Sequence, residues 1–253
     1  MSLSRQQNPW IVRLSTMKQT FWILLLLALS SPLTAQQFTA VDSLHLPFND
    51  LLQQYVNSEG QVRYDGLQRE HARLQAYLQK LSNQVPEVST PREVAMAYWI
   101  NAYNAFTLDL IVRNYPVKSI LQLDQGKTWD VKRIPLGGKK YSLNQIEHEI
   151  LRKKWADPRI HFALNCAAKS CPPLLHQAYL PSQLEQQLEA RTFYFINHSG
   201  YNQLSGQPLR LSKIFEWYAA DFEDLHTFLR KYYQKELKTR KISYNEYNWD
   251  LNR

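Results

Sequence analysis

The chain has 253 residues and a mass of 29.9 kDa, enough for one large domain or two small ones and for a sizeable core. Hydrophobic residues at 44%, charged residues at 21% and aromatics at 13% exclude wholesale disorder, and two cysteines exclude a multi-disulfide scaffold. Thirty Lys and Arg against 22 Asp and Glu give +8, but Arg5, Arg13 and Lys18 all precede residue 36, leaving a mild +5 beyond it (27 bases against 22 acids).

In chain order, Lys18, the apolar run Phe21 to Leu29 and the exit Ser30 to Ala35 read as a secretory signal over 1–35. Met17 is an alternative start. The run falls short of the ~20 apolar residues a membrane span needs, so removal leaves one domain, 36–253, working in the periplasm or secreted, with no stable membrane span; an uncleaved anchor is the alternative. Leu44 to Val56 is amphipathic and predicts a helix, Gln61 to Leu67 an extended link, and Glu70 to Leu81 a second helix. Thr90-Pro91-Arg92-Glu93 combines a capping threonine, a proline at the first helical position and a capping-box glutamate. The helix it opens runs to Tyr115, is apolar nearly all round and must be buried on most sides.

Gly137-Gly138 between Trp129 to Leu136 and Lys139 to Leu143 predicts a hairpin. Ser142 and Gln145 form a capping box for the helix SLNQIEHEILRKKW. After Asp157-Pro158, Ile160 to Cys166 reads as a short buried strand leading into the loop Ala167 to Pro173. Ser182 and Glu185 cap a helix to about Ile196, Ser205-Gly206 suggests a second hairpin, Ser212 and Asp224 open two last helices, and Ile242 to Trp249 alternates like a closing strand. The fold class is α+β: one mostly helical domain with a small antiparallel, hairpin-built sheet around a buried central helix.

Reactive side chains concentrate in HFALNCAAKSCPP, with His161, Asn165, Cys166, Ser170 and Cys171. Cys166 and Cys171 either form a structural disulfide, favoured outside the cytosol, or leave Cys166 as a thiolate that needs a base or cation nearby. On a strand, an offset of five puts His161 on the face opposite Cys166, making it a poor partner. A helical wheel places Leu143, Ile146 and Ile150 on the apolar stripe with Glu147 inside it and His148 at its edge. A buried acid must be paired or protonated. Either Glu147 and His148 line a cleft near Cys166, or Glu147 pairs with an arginine such as Arg159 or Arg113 and His148 bonds to backbone. Asn101 and Asn104 share a face of the buried helix and tie down loops or lend an amide to a site; Trp99 and Tyr103 are most simply core. The spacing of five along His161, Cys166, Cys171 and His176 fits no common zinc motif, so no metal is expected. No phosphate loop or dinucleotide fingerprint appears, so no cofactor is expected. The basic run Arg230 to Lys241 reads as a solvated helix face able to touch anionic glycan or lipid; an exported chain has no nucleic-acid partner.

The stretches AYWINAYNAFTLDLI (97–111), YSLNQIEHEILR (141–152), DPRIHFALNCAAKSCPPL (157–174), LSKIFEWYAADF (211–222) and YNEYNWDLN (244–252) resemble the domain of unknown function family 547. The resemblance brings that family's signature to Asn101, Asn104, Glu147, His148 and Cys166, and implies no established activity. It favours Cys166 as the functional thiol over an obligatory bridge to Cys171. The resulting expectation is an exported thiol-dependent hydrolase or acyl transferase acting on a peptide, amide or cell-envelope component. Cys166 is the nucleophile, His148 the base and Glu147 or Asn101 the orienting group, with Asn104, Trp99, Asn165 and Arg159 around the substrate. The alternative is a non-enzymatic peptide- or glycan-binding module with a structural Cys166-Cys171 disulfide.

Overall fold

The computed structural model describes residues 39–253; the expected export signal lies outside them. Helices α1 (Leu46–Tyr55), α2 (Tyr64–Arg69) and α3 (His71–Asn83) lead into the long helix α4 (Arg92–Asn114). The chain from Gln61 is therefore extended only to Arg63, and Tyr64 to Leu67, expected in a link, already belong to α2. Every residue of α4 from Ala95 to Val112 is buried. The helix starts where the Thr-Pro signal placed it, yet no side chain caps it. Magnitudes explain why that is tolerated: a cap is worth ~1 kcal/mol, whereas each fully buried Ile, Leu or Phe contributes ~1.5–3 kcal/mol.

Strands β1 (Ile134–Leu136) and β2 (Lys139–Tyr141) form the expected antiparallel hairpin, with Leu136 opposite Lys139. Both turn glycines have positive φ, 58° and 74°, as a type I′ turn requires. Ser142 and Gln145 exchange the reciprocal bonds of a capping box, Gln145 N to Ser142 Oγ at 3.1 Å and Ser142 N to Gln145 Oε1 at 3.2 Å. The helix they open is a π-helix, Gln145–Arg152, that ends in one α turn, α5 (Lys153–Trp155).

Ile160 to Cys166 is not a strand. Asp157 accepts a hydrogen bond from the Arg159 main-chain N–H at 3.1 Å, Pro158 follows, and Pro158–Phe162 winds into a 3₁₀-helix. The capping Asp-Pro pair outweighs the strand-like apolar run behind it. Ser182 and Glu185 do not cap α6 (Leu184–Asn197) either: Ser182 Oγ donates to Asp42 at 2.7 Å and Glu185 pairs with Arg92 and Arg159. Ser212 and Asp224 do accept the first main-chain bonds ahead of α7 (Ile214–Trp217) and α8 (Leu225–Tyr232). The second hairpin shrinks to the bridge Gln203–Arg210, and β3 (Leu209–Leu211) pairs instead, in parallel, with β4 (Ile242–Tyr244).

The product is mostly helical α+β with two apolar clusters. One surrounds α4; the other is an aromatic group between α6, α7 and α8 that includes Phe162, Phe195, Phe215 and Phe222. Among the described residues no helix is long and apolar enough to cross a membrane.

His45, buried against Tyr77 with its Nδ1 2.8 Å from the hydroxyl, is pushed down from 6.5 to about 4 by burial. The folded protein thus resists a proton that the unfolded chain accepts, so stability is complete above pH 6.5 and falls as pH drops towards 4. The difference corresponds to roughly 3 kcal/mol. Urea denaturation of the native chain and His45→Gln at pH 7 and pH 4 checks this: the variant is expected to lose much less stability on acidification than the native protein.

Candidate active site

Cys166 and Cys171 lie on a loop that no sheet supports, so its polar backbone is satisfied by buried amides. Asn104, on α4, donates to Ala163 O at 2.9 Å and accepts from Asn165 N at 2.9 Å. Asn165 donates to Pro172 O and accepts from Ala167 N, each at 2.9 Å. The C-terminal segment closes the other side: Asn252 N donates to Ala167 O at 3.0 Å, Lys169 N to Asp250 O at 2.8 Å, and Ser170 N to Asn248 O at 3.1 Å. Between these anchors Ala167 holds φ +64°, a left-handed conformation that costs a non-glycine residue ~1–2 kcal/mol and turns Cys166 out of the chain's path.

The loop borders a cavity of about 290 Å³ that Tyr103 and Leu164 wall from the α4 core and Ile214 from the aromatic core. Glu147, His161, Cys166, Cys171, Tyr218 and Tyr247 bring its chemistry. Both thiols are unbridged, Cys166 half-buried and Cys171 buried. The Cys166 main-chain N–H points at Cys171 Sγ from 2.9 Å, and Tyr247 Oη lies 3.3 Å from Cys166 Sγ. Hydrogen bonds from the Cys171 thiol, then from Tyr247 and the Ala168 N–H, pull the Cys166 ionisation below the ordinary thiol value against the opposing effect of burial. Burial and the neighbouring sulfur push Cys171 well up. Of the two thiols, Cys166 is accordingly the one that ionises more readily.

His161 is 3% exposed. Its Nε2 lies 2.7 Å from Asp221 Oδ2, and Arg152 grips the same carboxylate with Nε at 2.6 Å and Nη2 at 2.7 Å. The His161 bond, followed by that of Arg152, holds Asp221 far below the usual carboxylate range. An ionised Asp221 only accepts, so Nε2 of His161 carries a proton and Nδ1 is the ring atom left to exchange one. That Nδ1 is buried with no hydrogen-bond partner. Tyr218 stacks on the His161 ring with centroids 3.9 Å apart. Burial and then the charge of Glu147 keep the Tyr218 phenol protonated. Trp217, Tyr247 and Trp249 stand ring against ring along the cavity wall, with centroid separations from 4.5 to 5.9 Å and Trp217 46% exposed.

The structure thus brings Glu147 and Cys166 to one cavity, as the sequence suggests, but not His148. In the π-helix each turn takes up more residues than the α wheel allows: Glu147 stays buried and His148 is only half-buried. His148 Nδ1 faces Arg152 Nη1 at 3.0 Å, which places the ring behind the Asp221 clamp. His161, set aside on the strand reading, lines the cavity because the 3₁₀ turn abolishes strand alternation. Asp221, in YAADF, is 60 residues from His161 and carries no local signal of the contact. Glu147 meets Tyr218 rather than Arg159 or Arg113: Arg159 pairs with Asp157, Glu185 and Glu189, and Arg113 with Asp109. Asn101 is buried and exchanges two bonds with the Tyr179 main chain at 2.7 and 2.9 Å, so it orients no histidine. Trp99 packs edge-on against Tyr98 and Tyr141. Arg159 and Trp99 do not line the cavity, and Asn104 and Asn165 act on it through the loop. Among the described residues no three His, Cys, Asp or Glu are grouped to hold a metal ion.

Truncating Asn104 strands a buried carbonyl and a buried N–H. Asn104→Ala is expected to cost roughly 2–4 kcal/mol by urea denaturation; a loss below about 1 kcal/mol, within the range of an ordinary hydrogen bond, contradicts the clamp.

No curated protein and no solved structure matches the chain significantly. Residues 87–196 match the family described as "Protein of unknown function, DUF547", so the resemblance read from WINAYNA, IEH and FALNC holds over that stretch, with Tyr218, Asp221 and Tyr247 beyond it.

Proposed function

We propose that the cavity is the active site of a thiol-dependent hydrolase or acyl transferase. The observation that carries this reading is the presence, on one cavity, of a thiol drawn below its ordinary ionisation and a buried imidazole whose Nδ1 is unpartnered while Asp221 fixes its Nε2. These are the parts of a nucleophile, base and orienting-carboxylate set. The base is His161, and His148 supports it at one remove through Arg152.

In the proposed reaction the Cys166 sulfur attacks a substrate carbonyl and its proton resides on His161 Nδ1. Collapse of the tetrahedral adduct breaks the bond to the leaving amine or alcohol, which takes that proton and leaves a thioester on Cys166. Water, or an acceptor hydroxyl or amine, then gives its proton to Nδ1, attacks the thioester and returns the thiol. Tyr247 and Cys171 stabilise the thiolate before attack and between turnovers.

The signal-like segment 1–35 supports export, and with it a peptide, amide or envelope component as substrate. The aromatic wall of Trp217, Tyr247 and Trp249 suits an apolar side chain or the flat face of a sugar. That wall alone would equally serve a binding module, but such a module has no need of the Asp221–His161 clamp.

p-Nitrophenyl acetate tests the chemistry without knowledge of the natural substrate. The native chain is expected to release a burst of about one nitrophenolate per molecule. Cys166→Ser removes the burst, and Asp221→Asn slows it by at least ~100-fold. Intact mass in the burst phase locates one acetyl group on Cys166. A burst that survives in Cys166→Ser, or a native chain with Cys166 and Cys171 quantitatively bridged, overturns the proposal in favour of binding.

A further inference from the structure

The basic run Arg230 to Lys241 is exposed, but most of it is not a helix face. Helix α8 ends at Tyr232, and the following segment borders an open polar cavity of about 550 Å³ that shares no lining residue with the thiol site. Arg230, Lys235, Lys238 and Arg240 border it, with Glu236 as the one acid among its lining residues. None of these four cations has a carboxylate within salt-bridge distance among the described residues, although Lys231 beside them pairs with Glu189. Asp224 lies close enough to feel Arg240, but its oxygens are taken by Thr227 and the His226 N–H.

The second, independent feature is His226. It lines the same cavity, is 9% exposed, and its Nε2 is buried with no hydrogen-bond partner. Four unpaired cations around one concavity repel each other and focus a positive potential, and an unpaired buried nitrogen forfeits a hydrogen bond. One kind of ligand relieves both: an oxyanion with several acceptor oxygens, which guanidinium and ammonium groups bind by charge-assisted bonds while the ring N–H donates to it. A carboxylate offers fewer acceptor oxygens and less charge than a phosphate group.

We propose that this cavity is a binding site for a phosphate-type oxyanion, supplied either as a free anion or as the headgroup of an acidic phospholipid. It stands independently of the thiol chemistry. Calorimetric titration of the full chain with inorganic phosphate, and cosedimentation with phosphatidylglycerol or phosphatidylcholine vesicles, distinguish the two sources. Lys235→Gln, Lys238→Gln and Arg240→Gln combined touch only exposed side chains and leave the core intact. They are expected to weaken binding at least about tenfold through loss of charge-assisted bonds. His226→Phe, checked for folding by circular dichroism, is expected to weaken it as well. Binding to phosphate that the triple variant loses supports a free-anion site. Binding to phosphatidylglycerol but not phosphatidylcholine vesicles, lost in the same variant, supports the headgroup. Absence of binding to both probes, or binding that the triple variant retains within about twofold, an effect too small for lost ion pairs, overturns the proposal.

Discussion

A loop without a sheet to hold it must find partners for its backbone elsewhere, and in this protein two buried side-chain amides and the C-terminal main chain supply them. Asn104 reaches the Cys166 loop from the central helix, Asn165 from within the loop, and the main-chain N–H of Asn252 from the C-terminal segment. Their bonds fasten a left-handed alanine next to the thiol. The free energy for that strain comes from α4, whose burial on all sides makes its register, and so the position of Asn104, very hard to shift. Core, loop and reactive sulfur are therefore one mechanical unit rather than a scaffold with a site added to it.

The electrostatics of the cavity follow from that geometry. Two sulfurs share one small space, and their surroundings separate them: the half-buried one receives hydrogen bonds from a thiol, a phenol and an amide, while at the buried one burial and the neighbouring sulfur outweigh the Cys166 N–H it accepts. Opposite them the chain Arg152, Asp221, His161 spends an arginine to keep a carboxylate charged and a carboxylate to fix an imidazole tautomer. Tyr218 holds the ring from its face, and Glu147 meets Tyr218. The buried acid on the apolar stripe is met by a phenol, with Arg152 near enough to feel its charge.

How much of this the sequence discloses depends on the range over which each signal acts. The start of α4, its burial and the Gly-Gly hairpin are written in neighbouring residues, and all three are found. Asn104 is legible as an amide on a buried face, and Glu147 as an acid where none should be. The 3₁₀ turn is also written locally, in Asp157-Pro158, but the apolar run after it has the pattern of a strand, and strand alternation puts His161 on the wrong face. The π-helix was not legible, because a wheel at α pitch assumes the answer. Asp221 meets His161, and Tyr247 and Asn252 meet the Cys166 loop, across 59 or more intervening residues, and no local pattern announces such contacts. The parallel pairing of β3 with β4 is hidden for the same reason: a Ser-Gly turn signal points to the near partner, while the strand finds its ladder beyond α8.

The central claim is that His161 and Cys166 act on one another across the cavity. The rate of Cys166 alkylation by iodoacetamide, followed from pH 4 to pH 10 in the native chain and in His161→Gln, addresses it most directly. The account predicts a native curve that inflects below the ordinary thiol range and a variant curve displaced upward, since the imidazole that takes up the thiol proton is gone. Superimposable curves would contradict it.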